Sequence, residues 1–196
     1  MIDALSKKLT DLIKENVEGI TPEKEDIINY GIKLAVYEIM VSITIFLVAL
    51  VLGVFKYFLV AFTVYGVLRL FEGGAHAGSR TKCFLTYIVT IFGIIFISKY
   101  IWMDSLCYSV PVFILNVYIA YVYAPGDTAE KPLLRKKVKF RLKAISLILT
   151  ILIYATACIL WHFDKTIFNV ILLSTIPVTF LLSPMGYKLA RCKRGS

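Results

Sequence analysis

Apolar and polar positions along the chain separate into blocks rather than alternating. Residues 1–30 are mostly polar, and six apolar stretches follow at about 31–54, 57–71, 84–100, 105–123, 144–162 and 166–183. About 20 apolar residues carry a helix across the hydrocarbon core of a bilayer. The first, fourth, fifth and sixth stretches meet that length, and the third is slightly short. The second, Tyr57–Phe71, is shorter still and is expected to run on into the Gly-rich segment after it. A transmembrane barrel would show alternation, which these runs lack. The pattern predicts an all-α fold, a polytopic membrane helical bundle of about six transmembrane helices. Four spans, with the second and third stretches re-entrant, are the structural alternative.

The first residues follow a different period. Ile2, Leu5, Leu9, Leu12 and Ile13 share one helical stripe, and Lys7, Lys8, Asp11 and Lys14 lie elsewhere. That is an amphipathic helix, expected on the inner leaflet or against a partner. It lacks the basic start and apolar run of a secretory signal. Thr21-Pro22-Glu23-Lys24-Glu25 reads as a cap with Pro at the first helical position, opening a second helix into the first span. The expected organisation is an amphipathic segment at 1–30, a transmembrane bundle at 31–183 and a basic tail at 184–196.

Composition narrows the class further. Hydrophobic residues are 59% and charged residues 18% of 196, too apolar for one water-soluble core of this size. Thirteen Phe and twelve Tyr exclude a disordered chain, and four Cys exclude a disulfide-stapled scaffold. The net charge of +9 is unevenly placed, because residues 1–30 hold seven acidic residues against four Lys. The positive excess sits at Arg69, Arg80 and Lys82, in 131–143, and at Lys188, Arg191, Lys193 and Arg194. The remaining loops hold one basic residue each: Lys56, Lys99 and Lys165. Alternate threading puts the basic-rich segments on one side, so both termini and the 72–83 and 124–143 loops are expected in the cytosol.

Two stretches carry candidate chemistry. In Arg69-Leu70-Phe71-Glu72-Gly73-Gly74-Ala75-His76-Ala77-Gly78-Ser79-Arg80-Thr81-Lys82-Cys83, an imidazole and a thiol share one segment. Imidazole can take the thiol proton, and the thiolate is the attacking species. On one unbroken helix, residues seven apart differ by about 10 Å of rise, too far for proton transfer. The Cys–His reading therefore needs a bend between His76 and Cys83, for which Gly73, Gly74 and Gly78 are suited. The alternative is a Gly-rich turn with a buried Cys.

His162, beside Trp161, reads as an interfacial residue, and Cys107 and Cys158 as packing residues. Neither a metal site nor a cofactor is indicated. Glu38 and Lys33, in the first span, are either functional or paired near a helix end, with Arg69 a candidate partner of Glu38. The second stretch, Ala124-Pro125-Gly126-Asp127-Thr128-Ala129-Glu130-Lys131-Pro132-Leu133, forms a turn followed by the cationic run Arg135–Lys143. That run reads as an anchor on anionic inner-leaflet lipid or as a dock for an acidic peptide through Arg135, Lys136, Lys137 and Lys139.

Taken together, the pattern Arg69…Gly73-Gly74-x-His76-Ala77…Cys83 and the segment Ala124-Pro125-Gly126-Asp127-Thr128…Lys131-Pro132-Leu133 resemble the two signatures of the AgrB (accessory gene regulator protein B) family. The order, spacing and hydropathy match over nearly the whole chain. Gly126 stands where that signature leads one to expect Ala. The resemblance implies a membrane cysteine endopeptidase of a Gram-positive bacterium that cuts a precursor peptide of the AgrD type and helps cyclise it to a quorum-sensing signal. The family's catalytic His and Cys carry over to His76 and Cys83.

No third catalytic residue carries over. Glu72 or Asp127 as the group that orients His76 is our own expectation, with Arg69 in support. A homodimer is expected only by analogy, and nucleic acid is not expected as a partner. Readings from other classes are a small exporter with Glu38, Asn116 and Arg69 along a path, and a non-catalytic membrane scaffold.

Overall fold

A computed structural model describes residues 2–17, 20–75, 80–100, 106–128 and 135–195, with the side chains of residues 2, 38, 80–83 and 106 left aside. Those residues are nearly all helical. The elements are α1 (Ile2–Asn16), α2 (Pro22–Val51), α3 (Phe55–Glu72), α4 (Arg80–Tyr100), a 3₁₀ turn (Leu106–Tyr108), α5 (Ser109–Tyr123), α6 (Lys136–Leu160), α7 (Lys165–Leu182) and α8 (Pro184–Leu189). Each of the six apolar stretches falls on one of the helices α2 to α7. Three of these, α2, α6 and α7, are long and apolar enough to cross a membrane, and Phe84–Tyr100 and Ser109–Tyr123 are shorter apolar helices. The chain forms two compact units, residues 1–53 and 54–196.

In the first unit, α2 starts as its sequence demands. The Thr21 side chain accepts from the Lys24 N–H and Pro22 opens the first turn. Helix α1 forms as expected, but its packing face is the hydroxyl one. Ser6 and Thr10 are buried and Thr10 Oγ1 lies 3.4 Å from Asn29 Oδ1 on α2. Leu5, Leu9, Leu12 and Ile13 are exposed. Ion pairs Lys14–Glu25 (2.6 Å) and Lys33–Asp3 join the two helices, and the second holds the exposed Asp3 carboxyl below its ordinary range.

The second unit is built around α7, which packs on α3, α4, α5, α6 and α8. Phe168, Val170, Leu172, Val178 and Leu182 on α7 are almost wholly inaccessible. Around Phe168 and Ile171 gather Val64 and Leu68 of α3 and Ala157 of α6. On the next face, Phe58 of α3 stacks on Phe92 of α4 with ring centres 6.0 Å apart. A polar seam runs inside this unit. Asn116 of α5 donates to Thr175 Oγ1 (2.5 Å) and accepts from Thr179 Oγ1 (2.6 Å), both on α7. The residue that an export path would need free is thus held between two hydroxyls.

At one end of the unit, Asp164 caps α7 by accepting from the Ile167 N–H (3.0 Å) and pairs with Lys56 (2.8 Å). Burial works against the charge of Asp164, but these bonds win and hold its carboxyl below the ordinary value. His162 is exposed at this end, its ring edge-on to Trp161. Cys107 is exposed as well, where a buried packing residue was expected.

Candidate functional site

The other end of the second unit gathers the ends of α3, α5 and α7. Helix α3 stops because Gly73 turns the chain with φ of 69°, and Gly74 follows with φ of 107°; both values favour glycine over any side chain. Helix α5 stops at Ala124, before a cis Ala124–Pro125 peptide bond. The two released segments then pair with each other. Gly126 N–H donates to Glu72 O (2.7 Å), and Gly74 N–H donates to Gly126 O (3.1 Å). Ala75 N–H reaches Leu181 O on α7 (2.9 Å). The two stretches singled out from the sequence, some 50 residues apart, are one backbone-bonded corner.

Glycine is required at this contact. A Cβ built on Gly126 would lie 2.7 Å from Gly74 N and 2.8 Å from Gly74 Cα, closer than real contacts allow. A Cβ on Gly73 would overlap Gly126 O. The departure from the expected Ala at 126 therefore has a local physical reason: in this chain the two loops touch main chain to main chain.

Arg69 stands one turn before the end of α3. Its guanidinium donates to Gly73 O (2.5 Å) and to Ala75 O. It thus holds two carbonyls of the bend beyond α3 and fixes the chain that leads to His76. This use differs from the expected pairing with Glu38, whose side chain is outside the described residues.

Glu72 is buried, 2% exposed. Thr150 of α6 places its hydroxyl 3.2 Å from Glu72 Oε1 and 2.9 Å from Ser146 O, with one proton to share between them. Glu72 Oε2 has no partner among the described residues. A buried carboxyl oxygen needs a partner, so Glu72 is a candidate to bond a group outside the described residues. Asp127 differs. It is also buried, but its carboxylate lies 3.5 Å from Lys139 Nζ on α6. Its backbone oxygen accepts from the Tyr187 hydroxyl (2.8 Å) on α8. Burial pushes the Tyr187 hydroxyl above its ordinary range, so it stays a donor.

His76 lies outside the described residues. Cys83 is the fourth residue of α4, in its first turn, and its side chain is likewise not described. Of the cationic run, Arg135 caps α6 and the rest is its first two turns, not a loop. About 12 Å of helix therefore precedes the apolar part of α6. Arg135, Lys136 and Lys137 are exposed, while Lys139 is half-buried against Asp127. Sequence reasoning missed Thr150 and Tyr187. Thr150 left a signal, a hydroxyl within an apolar run; Tyr187 left none.

The family model described as Accessory gene regulator B matches residues 6–182. A putative AgrB-like protein of Clostridium perfringens (strain SM101 / Type A) is 29% identical over 161 residues, 79% of this chain and 75% of that one. A putative AgrB-like protein of Clostridium acetobutylicum is 26% identical over 188 residues, 96% of this chain and 86% of that one. Accessory gene regulator protein B of Staphylococcus intermedius is 29% identical over 132 residues, 67% and 69% of the two chains. No solved structure matches. The matched region runs from α1 to the end of α7 and contains both halves of the glycine corner, and the chain belongs to the accessory gene regulator B family.

Proposed function

We propose that this protein is a membrane-embedded cysteine endopeptidase that cleaves a short precursor peptide and promotes its cyclisation to a quorum-sensing signal. The observation that carries the reading is the hydrogen-bonded pairing of Glu72 and Gly74 with Gly126, which joins the segment leading to His76 to the second signature. In this reading the six apolar helices are six spans. The corner, both termini and the basic-rich segments face the cytosol of a Gram-positive cell, where anionic lipid meets Arg135, Lys136 and Lys137.

The chemistry follows from the residue types. His76 removes the Cys83 proton, and the thiolate attacks a precursor carbonyl carbon. A helix's first turn favours a thiolate over a thiol, and Cys83 sits in the first turn of α4. The tetrahedral intermediate collapses as the peptide C–N bond breaks, and His76 gives its proton to the departing amine. A thioester remains. A thiol within the precursor then displaces Cys83, which closes a thiolactone ring and returns the enzyme. Glu72, four residues before His76 and with an oxygen unpartnered among the described residues, is the better candidate to orient the imidazole. Asp127 already shares its carboxylate with Lys139.

Cys83→Ala and His76→Ala are each expected to abolish precursor cleavage while the protein still inserts. Intact-mass measurement of the unsubstituted enzyme with precursor is expected to show a covalent adduct at Cys83. Processing by purified Cys83→Ala would overturn the assignment.

A further inference from the structure

The corner has a backbone edge that the chain fills with its own residues. After α8 the chain turns sharply. Arg191 N–H bonds Lys188 O and Cys192 N–H bonds Tyr187 O, with Arg191 in the left-handed region at φ 52°. This is the Schellman helix end, in which that position is usually glycine. The turn carries Cys192–Gly195 back beside Asp127 and Thr128. Thr128 and Arg194 form an antiparallel bridge, and Gly195 N–H reaches Asp127 O at 3.4 Å. Arg194 donates to Tyr123 O (2.7 Å) and lies over the rings of Tyr123 and Tyr187. The Gly195 backbone packs so closely on the Asp127 carboxyl that a Cβ there would come within 2.7 Å of it.

Two features mark this as a held, replaceable segment. The turn that aims the segment uses a conformation unfavourable for arginine. Arg191 and Lys193 are exposed. The edge itself is firm: Asp127 and Gly126 are buried and tied to α3, α6 and α8.

We propose that the Asp127–Thr128 edge is a docking site for a peptide in extended conformation, which adds to it as a strand and displaces residues 192–195. Strand addition recognises main-chain groups first, which suits a substrate that is a flexible peptide. That the natural occupant is the precursor rests on the peptidase reading; the docking does not. A tethered segment competes at an effective concentration in the millimolar range, so a free peptide binds weakly until the tether is loosened.

The test uses the full chain carrying Cys83→Ala in detergent, so that no cleavage intervenes. The probe is a fluorescein-labelled synthetic peptide with the sequence of residues 191–196, serine replacing the cysteine. Arg194→Ala and Arg194→Met, which remove the bond to Tyr123 O without touching the edge, are expected to tighten probe binding by about tenfold or more. Methylating the backbone nitrogen of the probe's glycine is expected to abolish that binding, because strand pairing needs the N–H. Equal binding with and without the loosening substitutions, no binding to either, or indifference to N-methylation would each overturn the proposal. With Cys83 intact, the same variants should lower KM for the precursor at unchanged kcat. An unsubstituted enzyme that cleaved nothing would sink the peptidase reading while leaving the binding result in place.

Discussion

The two ends of the α3–α7 bundle are built on different principles. Toward the Asp164 end, large side chains do the packing: Phe58 and Phe168 are wholly buried, with Ile171, Leu172 and Val64 around Phe168. Its charges, Lys56 and Asp164, form an ordinary ion pair near the surface. Toward the glycine corner the backbone packs on itself, and the buried Glu72 carboxyl has an oxygen without a partner among the described residues. The difference teaches where selection for stability gives way to selection for a site. Interdigitated side chains tolerate adjustment among themselves, whereas backbone contacts through glycine hold carbonyls and N–H groups at fixed positions.

Four substitutions sharpen this contrast. Phe168→Ala should be the most destabilising, by roughly 3 kcal/mol, since it empties the packing around α7. Unfolding of the detergent-solubilised protein reads it, and a loss below 1 kcal/mol would mean that this end is not the stabilising one. Gly126→Ala should cost about 2 kcal/mol, because Gly74 or Leu182 must move to admit the methyl group. Its loss of peptide processing should exceed its loss of stability; proportional losses would make the corner merely structural.

Glu72→Gln keeps the shape and the Thr150 contact. It is expected to lower kcat at least about tenfold with KM and unfolding nearly unchanged, as a positioning carboxylate would. Wild-type kcat would remove Glu72 from the machinery. The smallest effect belongs to Asp164→Asn, which keeps an N-cap and loses only the ion pair with the largely exposed Lys56. The folded carboxyl titrates below its ordinary value. Its contribution is therefore full above about pH 3.9 and fades as pH falls through the depressed value. The variant's deficit should shrink in the same acidic window.

Hydropathy alone placed the helices, because every apolar stretch had to become one if its backbone groups were to be satisfied in lipid. The Thr21-Pro22 cap and the glycine bend were legible for equally local reasons. The sequence analysis also found both halves of the corner, but not that they touch. The contact of Gly126 with Gly74 is made by atoms that every residue has, so no side-chain pattern announces it. The same blindness covered α6, where the charges of Arg135–Lys143 suggested a loop although the helix runs straight through them. Thr150 was visible as a hydroxyl among Ile and Leu, yet its partner lies 78 residues away. Separations of that size are set by tertiary packing.

Helix α1 buries Ser6 and Thr10 and turns its leucines outward. In water such a helix would be inside out. The hydroxyl seam with Asn29 and the ion pairs to α2 set its angle, while the leucines add little to cohesion within the unit. An element arranged this way carries an apolar stripe that can meet a bilayer surface or a partner without breaking any bond between α1 and α2.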